Sequence, residues 1–170
     1  MDAAGRGNSA AMNSLGALWY GTYNTEVTSV RQKQNAPPFT FVAPNAQTAL
    51  DYWLQGASAG NATSMRNAGV LLLGDYADPP PPFKDVPRAL NLLNQAMLKG
   101  DTRSASILGV AYYYGTPKEV SKNPAFGLEL LARACTESDA HAKEFFNREI
   151  QIRHRLNADQ APAGCGPSVQ

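Results

Sequence analysis

Residues 100–115 read GDTRSASILGVAYYYG, and two earlier stretches, residues 7–21 (GNSAAMNSLGALWYG) and 60–74 (GNATSMRNAGVLLLG), carry a similar pattern. Glycines coincide along the three stretches, and the first two also share Asn and Met at matching positions. An internal repeat of this kind indicates a stack of similar units, because each unit can bury its apolar face only against its neighbours. The repeat therefore organises the whole chain.

A second helical segment follows each of these stretches. Its apolar residues recur at i, i+3, i+4 and i+7, which places one apolar stripe on a helix. Asn45, Asp85 and Asn123 open the three segments and suit helix N-caps, because their side-chain oxygens can accept bonds from free backbone N–H groups. Gly60 and Gly100 close the first two segments as C-terminal caps. The sequence predicts an all-α fold of helix–loop–helix units.

The pattern Ala-x-x-x-Leu-Gly-x-x-Tyr-x-x-Gly, followed by a loop and then Ala-Leu-x-Leu-Leu-x-x-Ala-x-x-Gly, resembles the Sel-one-like repeat, a relative of the tetratricopeptide repeat. The residues that fit it best are Ala105, Leu108, Gly109 and Tyr112 in the first half, and Ala89, Leu90, Leu93 and Gly100 in the second. Departures from it are Trp19 and Leu72 at the tyrosine position, Ala68 at the leucine position, and Gly127 at the second-helix alanine. The resemblance implies a right-handed α-solenoid of stacked antiparallel helix pairs.

One repeat domain is expected over residues 1–156. Its helix pairs lie at about 8–60, 61–100 and 101–138, and a terminal capping helix follows at about 140–156. The capping helix has its apolar residues on one face, namely Ala142, Phe145, Phe146, Ile152 and Leu156. Residues 157–170 form a C-terminal tail.

Two loops of the chain are long, and its first residues resemble the end of a repeat. Residues 22–44 and the proline-rich residues 75–84 account for the unequal spacing of the repeats. The first residues have neither the basic nor the apolar region of a secretory signal. Since residues 4–7 match the end of a second helix, we expect natural sequence, including a signal peptide, upstream of Met1.

The composition excludes several classes of function. Fifteen Lys and Arg against fourteen Asp and Glu leave a net charge of +1, too little to draw in nucleic acid or an anionic membrane. No stretch approaches the roughly 20 apolar residues that cross a bilayer. His141 and His154 are spaced unsuitably for a shared metal, and no glycine-rich phosphate loop is present. We therefore expect no metal, no cofactor, no nucleic acid and no membrane span.

Cys135 and Cys165 are the two cysteines. The second lies in residues 161–167, which are too rich in glycine and proline for a helix, so a disulfide to Cys135 would tether this tail. The sequence leaves a disulfide and two free thiols equally open. A disulfide would imply an oxidising compartment such as the bacterial periplasm, with the cytoplasm as the alternative.

Two apparent catalytic motifs have simpler interpretations. Residues 56–60 read GASAG and fit the nucleophile elbow of α/β-hydrolases, but that elbow needs a preceding strand, and the residues before Ser58 have a helical pattern. Glu144 and Glu149 are flanked by basic residues and indicate a solvated ion-pair face more than an acid/base pair. We expect no enzymatic activity.

The concave face of such an array is lined by the first helix of each pair, and it is where arrays of this kind bind their partners. By similarity to tetratricopeptide units, the principal partner-binding residues are Asn13, Tyr20, Arg66, Leu73, Arg103 and Tyr113, accompanied by Ala17, Val70, Ser106 and Val110. Tyrosine and arginine are enriched in interface hot spots. Trp19, Leu72 and Tyr112 are expected to pack between helices instead.

The expected function is protein binding without catalysis. The resemblance to small Sel-one-like proteins of the bacterial envelope implies an immunity protein that neutralises a cognate secreted toxin, such as a phospholipase effector of type VI secretion. An envelope adaptor or scaffold is the alternative. A hydrolase is a weaker one, either through Ser58 or as one of the penicillin-hydrolysing members, which are richer in cysteine.

Overall fold

The computed structural model describes residues 8–20, 45–74, 82–137, 139–153 and 155–165. Within these ranges the chain forms seven α-helices and no strand. The helices are α1 (Ser9–Tyr20), α2 (Ala46–Ser58), α3 (Ala62–Leu73), α4 (Val86–Leu98), α5 (Thr102–Tyr114), α6 (Pro124–Thr136) and α7 (Ala140–Asn147). A π-helical turn (Arg148–Ile152) and a 3-10 turn (Ala158–Gln160) follow. None of the described helices combines the length and the apolar character that crossing a bilayer requires.

The helices pack mainly against their neighbours in chain order. α1 packs on α2, α3 on α4 and α5 on α6, and these pairs stack through contacts of α2 with α3 and of α4 with α5. α7 packs against both helices of the last pair. The all-α solenoid predicted from the repeat is confirmed.

Helix ends coincide with the residues that the sequence singled out. The side chains of Asn45, Asp85 and Asn123 each accept a hydrogen bond from a backbone N–H in the first turn of the following helix. Gly60 and Gly100 have φ angles of +86° and +88°, a left-handed conformation that other residues adopt only with strain. These predicted caps are confirmed.

The two helices of each pair cross at a glycine that the three repeats share. These glycines and the side chains they face are Gly16 with Trp53, Gly69 with Leu93, and Gly109 with Leu131. A Cβ atom would lie 2.8 Å from Leu93 Cγ at the second crossing and 2.6 Å from Leu131 Cγ at the third. Such distances are too short for two carbon atoms, so each pair can pack this closely only with glycine there.

Gly127, the departure from the repeat pattern in α6, extends this close contact. A Cβ atom there would lie 2.7 Å from the carbonyl oxygen of Gly109 and 2.6 Å from the backbone nitrogen of Tyr113. The backbones of α5 and α6 therefore meet almost directly at this point.

The core consists of two main clusters. The first runs through α2 to α6 and includes Leu72, with Trp19 and Tyr112 packed against it, as predicted. The second joins α6, α7 and the C-terminal residues around Phe145 and Phe146, which are fully buried.

The C-terminal region differs from the single helix predicted over 140–156. α-Helical geometry ends at Asn147, and the π-helical turn Arg148–Ile152 follows. The backbone N–H groups of Arg155 and Leu156 then donate to the carbonyl of Glu149. Leu156 is buried in the second core cluster, together with Phe145 and Phe146.

A disulfide joins Cys135 of α6 to Cys165, the pairing that the sequence left open. Both cysteines are buried in the second core cluster. The described part of the tail is therefore tied to the last helix pair and covers its end.

Replacing Gly109 with alanine should lower the free energy of unfolding by about 1 to 3 kcal/mol, because the added methyl group overpacks the crossing of α5 and α6. Urea denaturation followed by circular dichroism measures this change. Asn94→Ala, which adds alanine at an exposed position of α4, is the control and should stay within about 0.5 kcal/mol of the wild type. Equal stability of Gly109→Ala and the wild type would show that the crossing tolerates a Cβ atom.

Replacing Cys165 with serine should lower the free energy of unfolding by about 2 to 4 kcal/mol, because the cross-link over 30 residues of sequence restricts the unfolded chain. The measurement is thermal unfolding with and without reductant. Wild-type protein should lose stability on reduction, whereas a Cys135→Ser, Cys165→Ser double variant should not respond. If the wild type unfolded at the same temperature with and without reductant, the prediction of a stabilising disulfide would be wrong.

Candidate functional site

A groove of about 680 Å³ runs across the first helices of the three pairs. Of the principal residues predicted for the concave face, Tyr20, Arg66, Leu73 and Arg103 line it. The accompanying positions that line it are Ala17, Val70, Ser106 and Val110. The structure adds eight lining residues that the sequence did not indicate, among them Trp53, Ile107, Tyr114 and His141.

Tyr20 is the most exposed aromatic residue of the groove. Its side chain is 43% exposed, and its ring packs against that of Trp53 with centroids 5.4 Å apart. Leu73 also borders the groove, but only 3% of it is exposed, so it serves mainly the core. Tyr20 therefore offers a partner far more contact area than Leu73.

Asn13 and Tyr113 lie outside the groove lining. Asn13 links helices instead, since its side-chain oxygen accepts from the Asn67 amide at 3.1 Å and its carbonyl accepts from the Trp53 indole at 3.2 Å. The ring of Tyr113 packs edge-on against Phe145 of α7, with centroids 5.0 Å apart. The structure thus places Tyr113 against α7, and the next residue, Tyr114, lines the groove.

Arg66 is tied to the following repeat. Its guanidinium Nη1 lies 2.6 Å from Asp101 Oδ2. The other oxygen of Asp101 accepts from the backbone N–H of Ser104 at 2.8 Å and caps α5. One carboxylate thus holds α3 and α5 in register and balances the charge of Arg66.

Tyr114 ends the groove at a buried polar cluster. The Tyr114 hydroxyl donates to Oε1 of Glu149, whose side chain is fully buried. Arg153 Nη1 donates to the Tyr114 oxygen at 3.1 Å and lies 3.6 Å from Glu149 Oε1. Arg148 Nε lies 3.8 Å from the same oxygen. Glu149 Oε2 has no hydrogen-bond partner within the described part of the chain.

The prediction of a solvated face at Glu144 and Glu149 was wrong for Glu149. Glu144 is exposed, but Glu149 continues the spacing of Ala142, Phe145 and Phe146 and points into the core with them. That i, i+3, i+4, i+7 spacing was the available signal. The basic neighbours concealed it because they suggested a surface position.

The cluster raises the pKa of both tyrosines. Burial and the hydrogen bond to Glu149 raise the pKa of Tyr114, and burial and the charge of Glu149 raise the pKa of Tyr113. Both phenols therefore remain neutral near pH 7 and can donate but not act as bases. Since these pKa values are raised on folding, the stability they carry is present below about pH 10 and is lost as the pH rises through the folded values.

The candidate catalytic residues have structural explanations. Ser58 lies in the last turn of α2, and its hydroxyl donates to the carbonyl of Gln55 at 2.8 Å. Gly56 faces the side chain of Ser64 in α3, and Gly60 takes the left-handed conformation that ends the helix. The GASAG segment thus belongs to helix packing and capping.

Metal-binding groups do not come together in the described residues. No three His, Cys, Asp or Glu side chains among them are placed to hold an ion. His141 is exposed at the edge of the groove, and His154 lies outside the described residues.

The fold is that of a Sel1 repeat solenoid, a stack of helix pairs with a groove on one side. A Sel1 repeat protein from Oxalobacter formigenes superimposes with a TM-score of 0.63 at 20% sequence identity, covering 94% of this chain and 57% of the other. A protective antigen of uropathogenic Escherichia coli that displays an SLR fold superimposes with a TM-score of 0.62 at 19% identity, covering 92% of this chain and 29% of the other.

This chain therefore spans little more than half of the first relative and under a third of the second. No family model matches the sequence, and no curated protein matches it. The likeness is one of fold.

Replacing Glu149 with glutamine should lower the pKa of Tyr114 toward, but not to, its ordinary value, because the charge of Glu149 is lost while burial remains. The measurement is an alkaline titration followed by phenolate absorbance. Tyr114→Phe identifies the transition that belongs to Tyr114, and Glu144→Gln is the matched control on the exposed face of α7. An unchanged titration in Glu149→Gln would contradict the cluster.

Proposed function

We propose that this chain is a non-catalytic protein-binding module and that its partner occupies the groove. The observation that carries this proposal is the exposed Tyr20 beside apolar side chains from three successive helix pairs. Val70, Ile107 and Val110 form the floor next to it. An occupant of this groove touches several repeats at once, which is how extended concave surfaces of solenoids bind proteins.

The more specific proposal is an immunity protein that masks a secreted bacterial toxin, such as a phospholipase effector of type VI secretion, in the periplasm. Two points support it. The resemblance of the repeats to small envelope proteins favours this role, and the Cys135–Cys165 disulfide suits an oxidising compartment. An adaptor or scaffold of the envelope would use the same groove.

A hydrolase has less support. The Ser58 hydroxyl is engaged by a carbonyl of its own helix, and the segment before it is α-helical. A nucleophile elbow requires a strained strand-to-helix turn at that serine.

Replacing Tyr20 with alanine should weaken partner binding at least about tenfold, because the change removes an exposed aromatic contact at the groove. The partner is first captured from the native organism with the wild-type protein, and its affinity for each variant is then titrated. Leu98→Ala is the matched control, because Leu98 is a large apolar residue, 71% exposed, outside the groove. Both variants should melt within a few degrees of the wild type.

Unchanged affinity of the Tyr20→Ala variant would rule out the groove as the binding face. If the captured partner is a secreted toxin, co-production of wild-type protein should protect cells from it, and Tyr20→Ala should protect less. Capture of an envelope-assembly protein instead would favour the adaptor role.

A further inference from the structure

The groove has a charge bias that the whole chain lacks. Its lining includes Arg66, Arg103 and His141, and among the described lining residues there is no Asp or Glu. The net charge of the full sequence is only +1. The positive bias is thus local to this face.

Most of the positive charge in the groove comes from the side that α5 forms. Arg66 is balanced by Asp101 at 2.6 Å, so it adds little net charge. Arg103, one repeat further on, is exposed and makes no salt bridge with any described residue. Among the described residues that line the groove, Arg103 is therefore the arginine without a salt bridge, and the apolar side chains of Ile107 and Val110 line the groove with it.

A second excess of positive charge lies beside Tyr114, which lines one end of the groove. Arg148 and Arg153 both lie within 4 Å of Glu149, and both are partly exposed, whereas the single carboxylate between them is fully buried. Arg153 also lies over the Tyr114 ring, 5.6 Å from its centroid. Two guanidinium groups against one carboxylate leave one positive charge in excess beside Tyr114, next to the groove but outside the residues that line it.

We propose that the groove takes an acidic amphipathic segment of a protein, with apolar side chains on the floor and carboxylates facing Arg103 and the Tyr114 end. This proposal rests on the protein-binding function and names the chemistry of the partner. Complementary charge selects such a segment and rejects basic ones, because like charges facing each other at an interface cost affinity. The apolar floor supplies the contact area, and the cations set the orientation of the bound segment.

The test is a selection of random displayed peptides on the purified full-length protein. Peptides enriched on the wild type should combine Asp or Glu with Leu, Phe or other large apolar residues. Arg103→Glu should shift the selection toward Lys and Arg. Arg88→Glu is the matched control, because Arg88 is an exposed arginine of α4 outside the groove, and it should leave the preference unchanged.

One enriched peptide is then titrated by fluorescence anisotropy. Arg103→Glu should weaken its binding about tenfold, and Glu→Gln changes in the peptide should weaken it about two- to fivefold, as expected for exposed charge pairs. High salt should reduce the difference between the acidic peptide and its Gln version.

Enrichment of neutral or basic peptides, no enrichment at all, or indifference to Arg103→Glu would each overturn the acidic-segment proposal. Displacement of a selected peptide by oleate, with oleate binding more tightly, would overturn it in favour of a fatty-acid site. None of these results decides whether the groove binds a protein, because the affinity of the captured partner for the Tyr20→Ala variant tests that separately.

Discussion

The close crossing of two helices at a glycine sets the geometry of every pair in this protein. With no side chain at Gly109, Leu131 of α6 can sit directly on α5, and Gly69 admits Leu93 in the same way. Because the second helix takes up this position, the opposite face of the first helix is left for the groove. A bulkier residue at these positions would push the helices apart and turn that face away from its neighbours.

Polar contacts then hold successive first helices in register. Asn67 of α3 donates to Asn13 of α1, and Arg66 of α3 pairs with Asp101 at the start of α5. Hydrogen bonds and ion pairs depend on distance and angle, so these contacts fix the position of one first helix along the next. Two residues predicted to bind a partner, Asn13 and Arg66, thus serve to align the helices that line the groove.

Local features of the fold and the packing of the repeats were predictable from the sequence, whereas the contacts made by the end of the chain were not. The N-cap of Asn45 and the turn at Gly60 depend on a few neighbouring residues, so their types alone predicted them. Tyr113 illustrates the opposite case: its repeat position indicated the groove, but its ring packs against Phe145 of α7, a contact that the repeat pattern does not describe. Whether Cys165 reaches Cys135 likewise depends on the path of the tail.

The residues that cap the stack, α7 and the π-helical turn after it, cover the last helix pair and also hold Tyr114 in place. An apolar cap would suffice to cover the last pair, as Phe145 and Phe146 do. A buried carboxylate is a costly addition, because removing a charge from water is repaid only by well-placed partners. Glu149 has such partners at Oε1, namely Tyr114 and Arg153, and Tyr114 is also a wall of the groove. The burial of Glu149 thus goes together with a fixed orientation of Tyr114, which connects the end of the solenoid to the shape of the groove.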